Sequence, residues 1–446
     1  MSNERWIGLA VAVLICASAI MKIVYGTLGV EGNSLFTAAL FLFPLLTIAL
    51  LGLRLIRLTL ADYLYAGLLI SVAASTALNG QTTDFREYAL LGLSLGAYPA
   101  FRMLAINTVE KARSAIIHLA IPVVVVGAFL TAYTLVFEMD DTRGGHPFVL
   151  GFGDAGTQFT FVSSYLIIAL TTRQLTAKST LIGATLMFLP SAVFATALVR
   201  SGIAALLGAL LLVAMLSRPG QRQYVLIWLL LVCSAIPVAY LARPAMTMRY
   251  ANDIIRSEDH YKPPPSGKEM PQAAGHHIGA SIGLPSCSLI VNTDNSVAIR
   301  RALMADAMHL AMDSGPMGTG LGSFQEKSCL RMPVHNSLVQ TFVEFGWLGG
   351  AFLAFLMLTS GAALLSGARY DVCARFIVGT LAYAAAVSMV YGWISREILL
   401  FGFMGWAVGY SEQRSSEAKE AYDSRSCCAG ATTLDVKPPA TPTPRT

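Results

Sequence analysis

Charged residues are scarce in this chain. Asp, Glu, Lys and Arg together make up 13% of its 446 residues, about half the share of an ordinary soluble domain. With 55% hydrophobic residues and a mean hydropathy of +0.61, the chain cannot clothe a water-exposed surface of normal polarity, which excludes a soluble globular protein. Cysteine is also sparse. Seven cysteines with no CxxC pair and no Cys/His cluster exclude a disulfide scaffold and a zinc site. The net charge of +5 is modest, and nothing in the pattern points to nucleic acid. The glycine run at Gly318, Gly320 and Gly322 matches neither a P-loop nor GxGxxG and has no strand before it, and no cofactor or metal is implied.

Long apolar runs are abundant. They fall at about 7–25, 34–53, 61–79, 88–106, 115–137, 155–171, 180–199, 202–217, 224–242, 337–365, 373–394 and 397–410. Most approach the ~20 residues that a helix needs to cross a hydrocarbon core, and none shows the short alternating pattern of a barrel strand. The fold class is therefore an all-α polytopic membrane protein with about 12 transmembrane helices. The first run contains Ala17-Ser18-Ala19, a cleavage-like pattern, but continues past it, so an uncleaved span is expected.

Basic residues alternate across these runs. Arg5, Arg54, Arg57, Arg102, Lys111, Arg113, Arg173, Lys178, Arg218, Arg222, Arg369 and Arg375 fall on one side, against Lys22, Arg86, Arg143, Arg200 and Arg396 on the other. The positive-inside rule then puts both termini in the cytoplasm. The chain divides into residues 1–242 with nine spans, a large external loop region at 243–335, residues 336–410 with three spans, and a tail at 411–446. That tail, polar and ending in a Pro/Thr-rich stretch, is expected to be disordered and cytoplasmic throughout. Inside the loop, residues 261–286 read as irregular, whereas 296–313 predict an amphipathic helix with Val297, Met304, Met308 and Ala311 on its apolar face. Cys287 and Cys329 share this loop, and an oxidising compartment would permit them to pair.

The spans are nearly free of charge, and two related halves with broken helices are not evident. An ion-coupled transporter would show one or the other. The chemistry is therefore expected on the external face. Arg200 lies at the tight turn Arg200-Ser201-Gly202 without a nearby acidic residue in sequence. Two readings fit it, a snorkelling interfacial cation and a ligand for a phosphate. Arg300 and Arg301 open the amphipathic helix, as a solvated basic face or as anion ligands. Gly318, Gly320 and Gly322 form either a flexible turn or a nest of backbone donors. Ser337 and Gln340 fit a capping box, which puts His335 just before a helix N-terminus. The helix dipole there disfavours imidazolium, so a neutral ring able to take a proton is expected, beside the reading of a polar interfacial residue. A rival set is Glu138, Asp140 and Asp141, as metal-binding carboxylates or as an acidic loop neutralising Arg143.

Taken together, Arg301, Pro316, the run GTGLGSF, His335-Asn336, Glu344 and Gly346, preceded by the Arg200 turn, resemble the bacterial O-antigen ligase and O-antigen polymerase superfamily. The likeness covers mainly residues 196–360; Ala305 stands where that family often has Trp. The resemblance implies an inner-membrane glycosyltransferase that moves a glycan from undecaprenyl diphosphate to an acceptor on the periplasmic face. In the ligases the acceptor is lipid A-core; in the polymerases it is another lipid-linked repeat. It implies Arg200 and Arg301 on the donor diphosphate and His335 on the acceptor hydroxyl or the departing phosphate. Arg300, Gly318, Gly320, Gly322, Asn336 and Glu344 would be substrate-binding. Family spacing chooses Arg301 over Arg300. A ligase is favoured over a polymerase, and a non-enzymatic lipid-glycan flippase or scaffold is the third reading. Two arginines would serve in place of a divalent metal, with inversion at the anomeric carbon.

Overall fold

The structure is a computed structural model and describes residues 3–29, 34–54, 56–138, 147–173, 176–197, 199–245, 248, 296–328 and 330–431. Cys287, Cys329, Asp140, Asp141 and the loop at 261–286 lie outside these residues, and with them the disulfide and most of the acidic-loop reading.

All regular elements among the described residues are helical. The first nine are α1 (Asn3–Leu28), α2 (Ser34–Leu51), α3 (Leu60–Asn79), α4 (Phe85–Arg102), α5 (Thr108–Phe137), α6 (Ala155–Thr171), α7 (Ala177–Thr196), α8 (Arg200–Leu216) and α9 (Pro219–Ala242). After the large loop come α10 (Ser296–Asp313), the short α11 (Ser323–Lys327), α12 (Ser337–Glu344), α13 (Gly346–Ala368) and α14 (Val372–Ser388). A single 3-10 turn, Ile394–Arg396, leads into α15 (Ile398–Ala431). Six helices, α1, α3, α5, α7, α9 and α13, are long and apolar enough to cross a membrane, and residues 36–51, 155–171, 200–216 and 372–388 form shorter apolar helices.

The exposed side of the bundle is apolar. Phe43, Leu50, Ile70, Phe129, Leu189 and Leu358 are each more than 60% exposed, an arrangement that water would penalise and lipid would not. Inside, α1 packs on α5, α3 on α13, α7 on α9, α8 on α14 and α4 on α15. The α4–α15 contact is close because Gly405 and Gly409 lack a side chain there. A Cβ on Gly405 would stand 2.2 Å from the Tyr98 carbonyl oxygen, and one on Gly409 2.5 Å from that of Arg102. Polar groups close the end of the bundle opposite His335. Arg102, 1% exposed, donates to Asp62 at 3.0 Å and to Glu412 at 2.6 Å.

Four expectations are corrected. The run at 337–365 is two helices, α12 and α13, because Gly346 takes a φ of 76° between them. The final helix does not stop at Tyr410 but continues to Ala431, so the irregular tail cannot begin at 411. The residues past Tyr410 are anchored to the bundle: Gln413 bonds Leu104 and Ile106, and Arg414 pairs with Asp371 at 2.8 Å. The helix start near His335 is capped by Asn336, whose Oδ1 accepts from the Val339 N–H at 3.0 Å, and not by a Ser337–Gln340 box. On α10 the buried face is Ile299, Leu303, Ala307, Leu310 and Ala311. Met308, placed on the buried face by spacing, is 52% exposed.

Candidate functional site

The residues of interest gather where α10, α12 and the segment after α14 meet. A small core of Leu303, Ala307, Phe324, Val334 and Val343 joins these elements. The end of α10 is tied down by hydrogen bonds: Ser314 Oγ donates to the Phe342 carbonyl at 3.0 Å and Trp347 Nε1 to that of Ala311 at 2.6 Å. The helix thus has a fixed orientation, and this decides between its two arginines. With about 100° of rotation per residue, Arg300 lies ~50° from the centre of the buried face and Arg301 ~150°. Arg300 is accordingly half-buried and Arg301 exposed.

Arg300 places its guanidinium over the Tyr391 ring, 5.1 Å from the centroid, a geometry favourable for a cation. Tyr391 in turn meets Phe161 edge-on, with centroids 5.8 Å apart. Phe161 packs under the turn that carries Arg200, 3.3 Å from where a Cβ on Gly202 would stand. Two aromatic rings therefore link the turn holding Arg200, at the head of α8, to Arg300 on α10. Arg200 itself is half-buried.

His335 sits in the loop between α11 and α12. Its φ of 56° is in the left-handed region, which costs a non-glycine residue about 1 kcal/mol. His is among the residues that tolerate it best, and the Asn336 cap holds the turn. The ring is half-buried. Burial first, and then the charge of Arg300, lower its pKa below the ordinary value of 6.5. Near neutral pH it is an unprotonated imidazole beside a permanent cation.

Beneath this pair lies a floor of carboxyl groups. Glu344, 1% exposed, accepts from Gln340 Nε2 at 3.0 Å, and Gln340 Oε1 accepts from the Ile394 N–H at 3.0 Å. Glu397 accepts from Ser337 Oγ at 2.7 Å. Burial pushes both carboxyls up to about 7. The glycine run belongs to this floor. Thr319 N–H donates to the Val343 carbonyl at 3.1 Å and Gly320 N–H to that of Glu344 at 2.9 Å, and the backbone of Gly322 and Phe324 opposes the effect of burial on the Glu344 carboxyl. The backbone donors of the run are thus spent on the protein's own Val343 and Glu344 carbonyls. The readings of Gly318, Gly320, Gly322, Glu344 and Asn336 as substrate ligands thus meet a structural task at each position: a turn, an anchor or a cap.

Glu397 and Tyr391 were not singled out in the sequence. Glu397 carries a usable signal, a carboxylate immediately before an apolar helix, where an ionisable group is costly. Sequence proximity instead suggests that it neutralises Arg396, but Arg396 pairs with Glu87 at 2.7 Å. Tyr391 carries no signal, since one aromatic among many apolar residues is unremarked until Arg300 is seen over it. Glu138 caps the end of α5, and no group of three His, Cys, Asp or Glu suited to a metal forms among the described residues.

The family model described as O-Antigen ligase matches residues 185–354. The matched segment runs from within α7 into α13 and includes Arg200, Arg300, Arg301, His335 and Glu344. No curated protein matches the chain.

Proposed function

We propose that this chain, whose residues 185–354 match the family model described as O-Antigen ligase, transfers a glycan from undecaprenyl diphosphate to lipid A-core at the periplasmic face of the inner membrane. Twelve spans with both termini cytoplasmic would put the His335 end of the bundle in the periplasm. The observation that carries the proposal is the juxtaposition of Arg300 with an unprotonated His335 at one end of an apolar bundle, above a closed polar floor.

The two groups have complementary tasks. His335 takes the proton of an acceptor hydroxyl as its oxygen attacks the anomeric carbon of the donor sugar. The bond from that carbon to the diphosphate oxygen breaks on the opposite side, inverting the centre, and undecaprenyl diphosphate departs with the electron pair. Arg300, with Arg200 from the neighbouring turn, stabilises the charge that develops on the leaving oxygen. Arg300 takes the part that family spacing assigned to Arg301, because it is the half-buried arginine, over Tyr391, whose charge acts on His335. A positioned base of this kind contributes roughly 10²- to 10⁴-fold.

Deleting the gene and examining lipopolysaccharide on a gel tests the reading. Core without any attached polymer supports ligation to lipid A-core. Core capped by a single repeat would replace it with polymerisation by the same site. Polymer attached normally would refute both, and periplasmic donor that never appears would favour a transporter. Transfer by purified protein in the presence of EDTA tests whether the arginines suffice without a divalent metal.

A further inference from the structure

A second concavity opens beside the floor. The Gln81–Asp84 turn between α3 and α4, the Gly322 end of the glycine run with α11, and Trp393 enclose a cleft of about 750 Å³. Gln81, Asp84, Gln325, Glu326, Arg331 and Trp393 line it. All but Trp393 are exposed there, and Trp393 is half-buried.

The chemistry of the lining is selective. Amide, carboxylate and guanidinium groups surround one indole, a set that cannot satisfy an acyl chain but can hydrogen-bond many hydroxyls while an apolar ring face rests on the indole. Charge narrows the class further. Asp84 and Glu326 oppose Arg331 alone, since Glu87 is taken up by Ser395 Oγ at 2.7 Å and by Arg396 at 2.7 Å. The rim is therefore net negative and repels a phosphate, in contrast to the Arg300 side of the floor. The indole is held in place, with the Arg396 guanidinium 4.2 Å from its ring centroid.

The cleft also adjoins the floor beneath the reacting groups through single residues. Gly322, in its wall, is two residues from Gly320, whose N–H bonds the Glu344 carbonyl; Trp393 precedes Ile394, whose N–H bonds Gln340; and Arg331 is in the same loop as His335. We infer that this cleft is a subsite for the unphosphorylated sugars of the acceptor glycan, holding them so that the next hydroxyl reaches His335. The inference rests on the glycosyl-transfer reading above.

Two measurements test it on the full-length protein in nanodiscs. In a transfer assay, Gln325→Ala with Glu326→Gln is expected to raise the acceptor KM about 10-fold while kcat and the donor KM stay unchanged. An unchanged acceptor KM, or a fall in kcat alone, overturns the subsite. Separately, a dephosphorylated core oligosaccharide is titrated against tryptophan fluorescence without donor. Saturable quenching that the double variant loses supports the cleft, and its absence in the wild type overturns it. Tighter binding of the phosphorylated oligosaccharide overturns the assignment to neutral sugars. Wild-type protein that binds the oligosaccharide but transfers nothing would refute the reaction and leave the subsite standing.

Discussion

Ser337 Oγ donates to Glu397 Oε1 at 2.7 Å, joining the residue two places after His335 to the head of α15. The bond spans 60 positions in the chain and fixes the turn that bears the imidazole against the last helix.

That arrangement makes stability depend on pH. Glu344 and Glu397 have folded-state pKa values of about 7 against an ordinary 4.5. A carboxyl raised in this way contributes its full stability below pH 4.5 and loses it as pH rises through 7. Each is expected to account for roughly 1–3 kcal/mol over that window. Thermal unfolding in detergent should therefore occur at lower temperature at pH 8 than at pH 5. Glu397→Gln, which keeps an acceptor for Ser337, should flatten its share of the difference. A pH dependence identical to wild type in that variant would remove Glu397 as the source.

His335 is expected to separate catalysis from folding. His335→Asn retains a side chain that tolerates a positive φ, whereas His335→Ala adds about 1 kcal/mol of strain. Both should reduce transfer by at least 10²-fold, but only the Ala variant should unfold measurably earlier. The acid limb of the transfer rate should lie below pH 6.5, because activity needs the unprotonated ring and both burial and Arg300 lower its pKa. At saturating donor, Arg300→Gln should move that limb upward toward the ordinary value. A limb that stays in place would show that another group sets it.

The sequence shows where helices lie more clearly than which way they face. The bounds of α10, Ser296–Asp313, follow from a polar segment with helical spacing. Its buried face does not, because Leu303 and Ala307 and the more polar-flanked Met304 and Met308 give two apolar stripes, and only the docking core on α12 chooses between them. The same choice turns Arg300 inward. Local rules likewise suggest Ser337 and Gln340 as a capping box, but those side chains are drawn to Glu397 and Glu344, and Asn336 takes over the cap. The glycine run is visible as a special backbone, while the Val343 and Glu344 carbonyls that it bonds are 24 positions away in the chain and invisible to any local pattern.

Gly318 offers a direct test of that last point. Its φ is 75°, and a Cβ there would stand 2.3 Å from the Gly346 nitrogen and 2.4 Å from the Glu344 carbonyl oxygen. Both contacts are with backbone, which cannot swing aside. Gly318→Ala should cost about 3 kcal/mol or more and show itself as loss of folded protein. If the glycine run instead cradled the donor diphosphate, the variant would fold normally and raise only the donor KM.

The two adjacent arginines of α10 should differ sharply although they are chemically identical. Arg300 is held over Tyr391 at 5.1 Å and its charge acts on His335, whereas Arg301 is exposed. Removing a cation from the leaving oxygen should reduce kcat by 10²-fold or more, in line with the loss of one stabilising donor at a developing charge. Arg300→Ala and Arg200→Ala are expected to show that loss, and Arg300→Lys to recover little, since an ammonium lacks the planar fork that suits a diphosphate and stacks on a ring. Arg301→Ala should leave kcat within a few-fold of wild type, with any change confined to the salt dependence of donor binding. The opposite ranking, with Arg301 indispensable and Arg300 neutral, would mean that α10 turns by about 100°, a little over a quarter of a revolution, when substrate binds. In that case the contact between Arg300 and Tyr391 would describe the resting protein only.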